Sequence, residues 1–294
     1  MRIKIVFDNQ EYIHMLANAV IFLARQADRV MLCFSEDKLV LQIQKPFCFI
    51  ELMIKKLAAS YVFKGSEPII NEDIPYVYVE CMSRTMISVF DTYHRKATQR
   101  LEMKMTQEGK LPLLDFRGTI KTEKSTSYVE FQLPVVYVSH VEMSITNLMD
   151  KLHFDFELKL PKFKKFRKYV DMFRDFKIIR IAANEGELVV YSEVEETKIM
   201  ACFRKSKLNK DMQSVNFYED FFKKNRYEVQ VDWKLLNHFL HSINAMSYRN
   251  IELTCSIHHK RVLKLSFTVP IKEISFHFFL EHIENDNDDL SDSN

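Results

Sequence analysis

PKFKKFRKYVDMFRDF, residues 161–176, places Phe163, Phe166, Val170 and Phe173 at the i, i+3, i+7, i+10 spacing of one helix face and sets lysine and arginine between them. In EYIHMLANAVIFLARQ, residues 11–26, the residues Ile13, Leu16, Val20 and Leu23 repeat that spacing, offset by 150 positions. Two amphipathic helices in the same phase at such a distance point to an internal repeat. Each is followed by two strand-like runs about a short turn. In the first half these are Val30–Phe34 and Leu39–Ile43 around Ser35-Glu36-Asp37-Lys38; in the second they are Ile178–Ala182 and Glu187–Tyr191 around Ala183-Asn184-Glu185-Gly186.

The correspondence continues downstream. The alternating run Tyr76–Glu80 enters a helix beginning near Ser83, and Tyr227–Val231 enters a helix capped by Asp232. Further strands follow in both halves, Leu101–Met105 and Leu111–Phe116 in one, Ile251–Cys255 and Val262–Phe267 in the other. Each half therefore reads as strand, helix, strands, strand, helix, strands, an α+β layer with helices on one face of an antiparallel sheet. After the strand Tyr128–Val136, the alternation breaks at SHVEMSITNLMDK (residues 139–151), which reads as a connector, and the second copy begins at His153.

The helix faces opposite the apolar stripes carry a sign. The third helix points Lys164, Lys165 and Lys168 outward, with Asp171 and Asp175 nearer its end. The second buries Met86, Phe90 and Tyr93 and presents Arg84 and Arg95. The fourth buries Leu235, Phe239 and Ile243 and presents Lys234 and His241; the first presents Arg25 and His14 but also Glu11 and Phe22. A net charge of +2 conceals this segregation: residues 162–177 hold seven Lys or Arg against two Asp, whereas residues 281–294 hold six acids and no Lys or Arg. Basic faces on repeated helices suit sequence-independent, salt-sensitive tracking of phosphates.

Several function classes lose their apparatus. Four glycines, Gly65, Gly109, Gly118 and Gly186, are too scattered for a P-loop or a dinucleotide fingerprint. Cys33, Cys48, Cys81, Cys202 and Cys255 stand singly among apolar residues and read as buried, reduced thiols rather than a disulfide or zinc framework. His258-His259 falls at a hairpin with no carboxylate at ligand spacing, His238 and His241 read as a polar helix face, and no nucleophile motif occurs. No catalysis, metal or cofactor is expected. No apolar run has the length of a membrane span, and MRIKI (residues 1–5) reads as a strand, so a soluble, intracellular protein is expected.

The order of elements resembles that of the DNA sliding clamps, the PCNA-like family. Within it the chain is most similar to the Hus-one subunit of the heterotrimeric checkpoint clamp. The similarity is carried by MRIKIVFD (residues 1–8), SEDKLVLQI (35–43), QLPVVYV (132–138), IIRIAANEGELVVYSEVE (178–195) and VQVDWKLLNHFL (229–240). It is poor over residues 45–73 and 119–126 and in the connector.

The resemblance implies two tandem clamp domains, each a curved antiparallel sheet with two channel-facing helices. They would be residues 1–138 and 153–284, joined by 139–152 and followed by a disordered acidic tail, 285–294. It implies DNA-facing roles for Lys164, Lys165, Lys168, Arg84, Arg95, Lys234 and Arg25. Subunit contacts would lie on the edge strands 127–136 and 197–204 at Tyr128, Val129, Phe131, Ile199, Ala201 and Phe203, where an exposed edge pairs with a neighbour. A client-peptide groove would be lined by Val138, Val141, Met143 and Ile145. Implied partners are Rad-nine-like and Rad-one-like subunits, a clamp loader, duplex DNA and repair enzymes, in the nucleus with a cytoplasmic pool. A self-associating replicative clamp is the alternative; the near-neutral charge favours the heteromer, since replicative clamps are acidic.

Overall fold

The computed structural model describes residues 2–35, 38–55, 60–64, 77–95, 98–121, 125–138, 152–160, 163–184, 187–194, 197–204, 226–245, 251–269 and 274–284. The chain forms two compact units, one of residues 1–45, 49–151 and 268–277, the other of 46–48, 152–267 and 278–294.

In the first unit β1 (Arg2–Phe7) leads into α1 (Gln10–Ala24), capped by the Asn9 side chain, which accepts the Tyr12 N–H at 2.9 Å. Strands β2 (Arg29–Phe34), β3 (Lys38–Lys45), β4 (Cys48–Lys55) and β5 (Ser60–Lys64) follow, then β6 (Val77–Met82), α2 (Ser83–Arg95), β7 (Thr98–Glu108), β8 (Leu111–Lys121), β9 (Thr126–Pro134) and β10 (Val136–Tyr137). One sheet runs β5-β1-β7-β8-β9, and β10-β6-β2-β3-β4 forms a second run. The apolar faces of α1 and α2 close over Phe7, Leu32, Leu101 and Phe116, all buried.

The second half of the chain repeats the plan with β11 (Phe156–Leu160), α3 (Phe163–Val170), β12 (Ile178–Asn184), β13 (Glu187–Val194), β14 (Thr197–Arg204), β15 (Tyr227–Asp232), α4 (Trp233–Ala245), β16 (Glu252–His258), β17 (Val262–Val269) and β18 (Ile274–Glu281). Its strand orders β11-β16-β17-β18 and β15-β12-β13-β14 reproduce β1-β7-β8-β9 and β6-β2-β3-β4. The repeat read from apolar spacing is thus a repeat of topology. Phe239 of α4 is its aromatic hub, stacked on Phe278 at 3.9 Å and meeting Phe267 edge-on at 5.1 Å.

Among the described residues the free side of β15 is closed without another strand. The N–H groups of Glu228 and Gln230 donate to Nδ1 of His259 (2.9 Å) and of His282 (3.0 Å). Their carbonyls accept the N–H groups of Lys260 (2.8 Å) and Ile283 (2.9 Å). Both imidazoles therefore act as neutral acceptors, a role the other ring nitrogen's proton makes possible.

Several expectations need correction. The third helix turns tighter after Val170, where a 3-10 turn, Asp171–Phe173, takes over: the Trp233 indole N–H occupies the Val170 carbonyl at 2.9 Å, and the shorter turn still brings Phe173 onto the buried stripe. In α4, Leu236 and Leu240 are buried with Phe239 and Ile243, and Leu235 is only half-buried. Phe22 was expected on the solvent face, yet it is 9% exposed and meets Phe276 edge-on at 6.1 Å. The run 128–136 breaks at Val135, whose N–H bonds back to Pro112 O at 3.1 Å, so Val136 starts β10 on another sheet. Cys202 is exposed; Cys33, Cys48, Cys81 and Cys255 are buried.

Candidate nucleic-acid and subunit interfaces

The basic positions emerge on the exposed helix faces. Lys164, Lys165 and Lys168 of α3 are exposed, because Phe163, Phe166 and Val170 claim the other side, and Lys165 Nζ also lies 5.7 Å from the centre of the Tyr169 ring. Arg84 and Arg95 of α2, Arg25 at the end of α1 and Lys234 of α4 are exposed as well. Their surroundings differ. Arg95 bonds Asp91 at 2.9 Å one turn back, whereas Asp171 at the end of α3 is engaged by His241 of α4 at 2.9 Å. That pairing takes a carboxylate away from the α3 lysines and explains the polar role of His241.

Two edge strands carry the expected subunit contacts. Among the described residues strand β9 borders β8 alone, in register Phe116↔Phe131, Gly118↔Val129 and Thr119↔Tyr128. Tyr128 stands out at 56% exposed with the Arg117 guanidinium 4.5 Å over its ring, and Arg117 also bonds Glu130 at 3.0 Å. Val129 and Phe131 point the other way. The Tyr93 hydroxyl of α2 donates to the Val129 carbonyl at 3.2 Å, and the Tyr93 and Phe131 rings meet edge-on at 5.8 Å. Gly118 makes this possible: a Cβ there would collide with the Tyr93 ring.

Among the described residues strand β14 borders β13 alone, with Ala201 opposite Val190 and Phe203 opposite Leu188. Phe203 is 6% exposed, its ring 5.3 Å from Phe166 and 5.6 Å from Tyr169, and Ala201 is equally buried. These two side chains pack against their own unit's core. Ile199 is half-buried, and Cys202 is exposed on the opposite face.

Val138 lies half-buried against the Cys33, Val40 and Tyr78 cluster, beside Met31 and Met53, and its N–H donates to Tyr78 O at 3.1 Å. Val141, Met143 and Ile145 lie outside the described residues, as do the connector (139–151) and the tail beyond Glu284.

The histidine pair at the hairpin does have a carboxylate, contrary to expectation. Asp155 Oδ2 lies 3.3 Å from His258 Nδ1 and accepts the His259 N–H at 2.7 Å. Sequence distance hid it, since Asp155 precedes His259 by 104 positions. Among the described residues no three His, Cys, Asp or Glu side chains converge as metal ligands. Burial, with Glu80 nearby, pushes the Cys81 thiol up to about 12, and burial raises the Cys255 thiol further, so neither is a thiolate at neutral pH.

One juxtaposition had no signal in the sequence. His14 of α1 and His94 of α2 stack with ring centroids 4.1 Å apart and planes at 22°. Burial and the neighbouring His14 lower the His94 pKa from its ordinary value, Arg95 lowers it further, and Asp91 opposes them.

No curated protein matches the chain by sequence. Its fold is similar to that of the PCNA of Thermococcus kodakaraensis, with a TM-score of 0.65 at 11% identity, covering 96% of this chain and 100% of that one. The expected clamp architecture is the one observed, two copies of the same strand and helix order. The family model described as Hus1-like protein matches residues 1–284, and with a PCNA-like fold along nearly its whole length the chain belongs to the Hus1-like family of clamp subunits.

Proposed function

We propose that this chain is the Hus1-type subunit of a heterotrimeric ring that encircles duplex DNA at damage sites, supports checkpoint signalling and tethers repair enzymes without catalysis of its own. The observation that carries this reading is the match of a Hus1-like model over residues 1–284 to a chain whose β9 and β14 each border a single strand among the described residues. Residues 1–138 and 153–284 are the two clamp domains, joined by 139–152. Rad-nine-like and Rad-one-like subunits add strands to the two edges, largely through backbone hydrogen bonds at β14, where Ala201 and Phe203 are turned inward. Lys164, Lys165, Lys168, Arg84, Arg95, Lys234 and Arg25 line the hole and neutralise phosphates without reading bases. A clamp loader opens the ring, and the assembly works in the nucleus.

The test is mass by light scattering, for the chain alone and mixed with its Rad-nine-like and Rad-one-like partners. A monomer that becomes a one-to-one-to-one trimer is expected. A homotrimer of this chain alone refutes the heteromeric reading in favour of a replicative clamp, and indifference to both partners refutes the assembly.

A further inference from the structure

After β18 the chain is pinned along the border of the second half's four-stranded sheet. His282 donates its N–H to Arg261 O at 2.7 Å and Ile283 to Gln230 O at 2.9 Å. Gln230 belongs to β15, and β15 runs directly to the end of α3: the Trp233 N–H donates to Lys177 O at 2.9 Å and its indole N–H to Val170 O at 2.9 Å. The two residues between Gln230 and Trp233 span less than about 8 Å, so with a hydrogen bond at either end Ile283 lies within roughly 15 Å of the Lys177 carbonyl. Among the described residues β15 has only β12 beside it, so a chain leaving this border turns onto the helix face without crossing a strand.

Residues 285–294, NDNDDLSDSN, carry four aspartates and no Lys or Arg. Extended, they reach roughly 33 Å, whereas the eight residues of α3 are about 12 Å long. The ground within that reach is basic. Residues 162–177 hold seven Lys or Arg against two Asp, and both acids are engaged, Asp171 by His241 at 2.9 Å and Asp175 by Arg174 at 3.9 Å. Lys164, Lys165, Lys168 and Lys177 are exposed, and among the described residues no carboxylate pairs with their ammonium groups. The cations beside the exit point are balanced instead: Arg226 bonds Glu228 at 2.8 Å, and Lys260 and Arg261 join the same border as Asp155, Glu228, Glu281 and Glu284.

We propose that residues 285–294 dock across the exposed lysines of α3, so that the chain carries its own competitor for the surface offered to DNA. The competition rests on the clamp reading; the docking needs only the second unit. Tethering gives the tail a local concentration in the millimolar range, but each exposed ion pair is weak and screened by salt. Docked and released forms therefore coexist, and the cost to DNA affinity is about three- to tenfold at 50 mM salt and nearly nothing at 300 mM.

The test has two arms. In the first, the full chain alone is treated with a zero-length carbodiimide, which joins carboxylates to amines in contact, and the links are mapped by peptide mass spectrometry. Links from Asp286, Asp288, Asp289 or Asp292 to the lysines of residues 162–168 are expected at low salt and should fade at 300 mM; their absence, or links chiefly to Lys260 or to lysines elsewhere, overturns the docking. In the second arm, the assembled ring is titrated with a 30-base-pair duplex. Truncation after Glu284, or conversion of the four aspartates to asparagine, should raise affinity about three- to tenfold at 50 mM salt, and an unchanged affinity overturns the competition. With Lys164, Lys165 and Lys168 already replaced by alanine the gain should vanish, because the two changes act on one contact; a gain that persists shows a long-range charge effect and overturns the docking. A ring that never holds DNA while the links form refutes the clamp reading and leaves the tail on α3.

Discussion

Gly118→Ala sets two physical effects against each other with opposite signs. In a strand interior, alanine in place of glycine restricts the unfolded chain and stabilises by about 0.5–1 kcal/mol if nothing else changes. Here the added Cβ falls on the Tyr93 ring. That ring is held by its hydrogen bond to Val129 O at 3.2 Å and by edge-on contacts with Phe131 at 5.8 Å and Phe90 at 6.4 Å, so it moves only by giving these up. The hydrogen bond is worth about 1 kcal/mol, the disturbed aromatic pairs about 1 kcal/mol, and the strain of an overfilled core about 1–3 kcal/mol. Net destabilisation should be about 2–4 kcal/mol, or roughly 5–10 °C in melting temperature. Urea unfolding followed by circular dichroism measures it, and hydrogen exchange should show lost protection along β8 and β9. Combining Gly118→Ala with Tyr93→Ala should recover part of the loss. An unchanged or raised midpoint for the single variant would refute steric exclusion by Tyr93.

Other outcomes follow from the same structure. Replacing Lys164, Lys165 and Lys168 with alanine together should lower the dependence of log affinity on log salt by about 2.7, from roughly 0.9 per phosphate contact, with folding unchanged; an unaltered slope in a DNA titration removes these lysines from the interface. Phe203→Ala should cost about 3–5 kcal/mol in urea unfolding, because Phe203 fills space against Phe166 and Tyr169; a loss confined to partner binding would contradict that packing. Iodoacetamide at pH 8 should modify Cys202 well before Cys81, and more slowly once a partner strand covers β14, as peptide mass spectrometry would show. Neutral His94 is favoured in the folded chain, so its stabilising contribution is complete above the ordinary value of 6.5 and is lost as pH falls through the lower folded value. The urea midpoint should therefore drop between pH 7 and pH 5, less steeply in His14→Gln.

The repeat was legible because it is written in local periodicity. The phase of Ile13, Leu16, Val20 and Leu23 recurs at Phe163, Phe166, Val170 and Phe173, and all eight are buried. Asp232 was equally plain as a cap, and its Oδ1 accepts the Leu235 N–H at 3.1 Å. What escaped depends on partners distant in sequence. Phe22 looked outward on a helical wheel, which contains no Phe276. The tightening after Val170 is made by Trp233, the capture of Asp155 by His258-His259, and the stacking of His14 by a residue 80 positions away. On β14, alternation told which residues share a face but not which face the core lay on, so the burial of Ala201 and Phe203 could not be read from it.

The imidazole closure of β15 gives the four-stranded sheet a valence. Among the described residues, an incoming strand finds open backbone at β14 alone, since at β15 the amides of Glu228 and Gln230 are already spoken for. A sheet with two sticky margins can propagate without limit, as fibrils do. A sheet with one can only be terminated by a single neighbour, so growth through it stops after one addition.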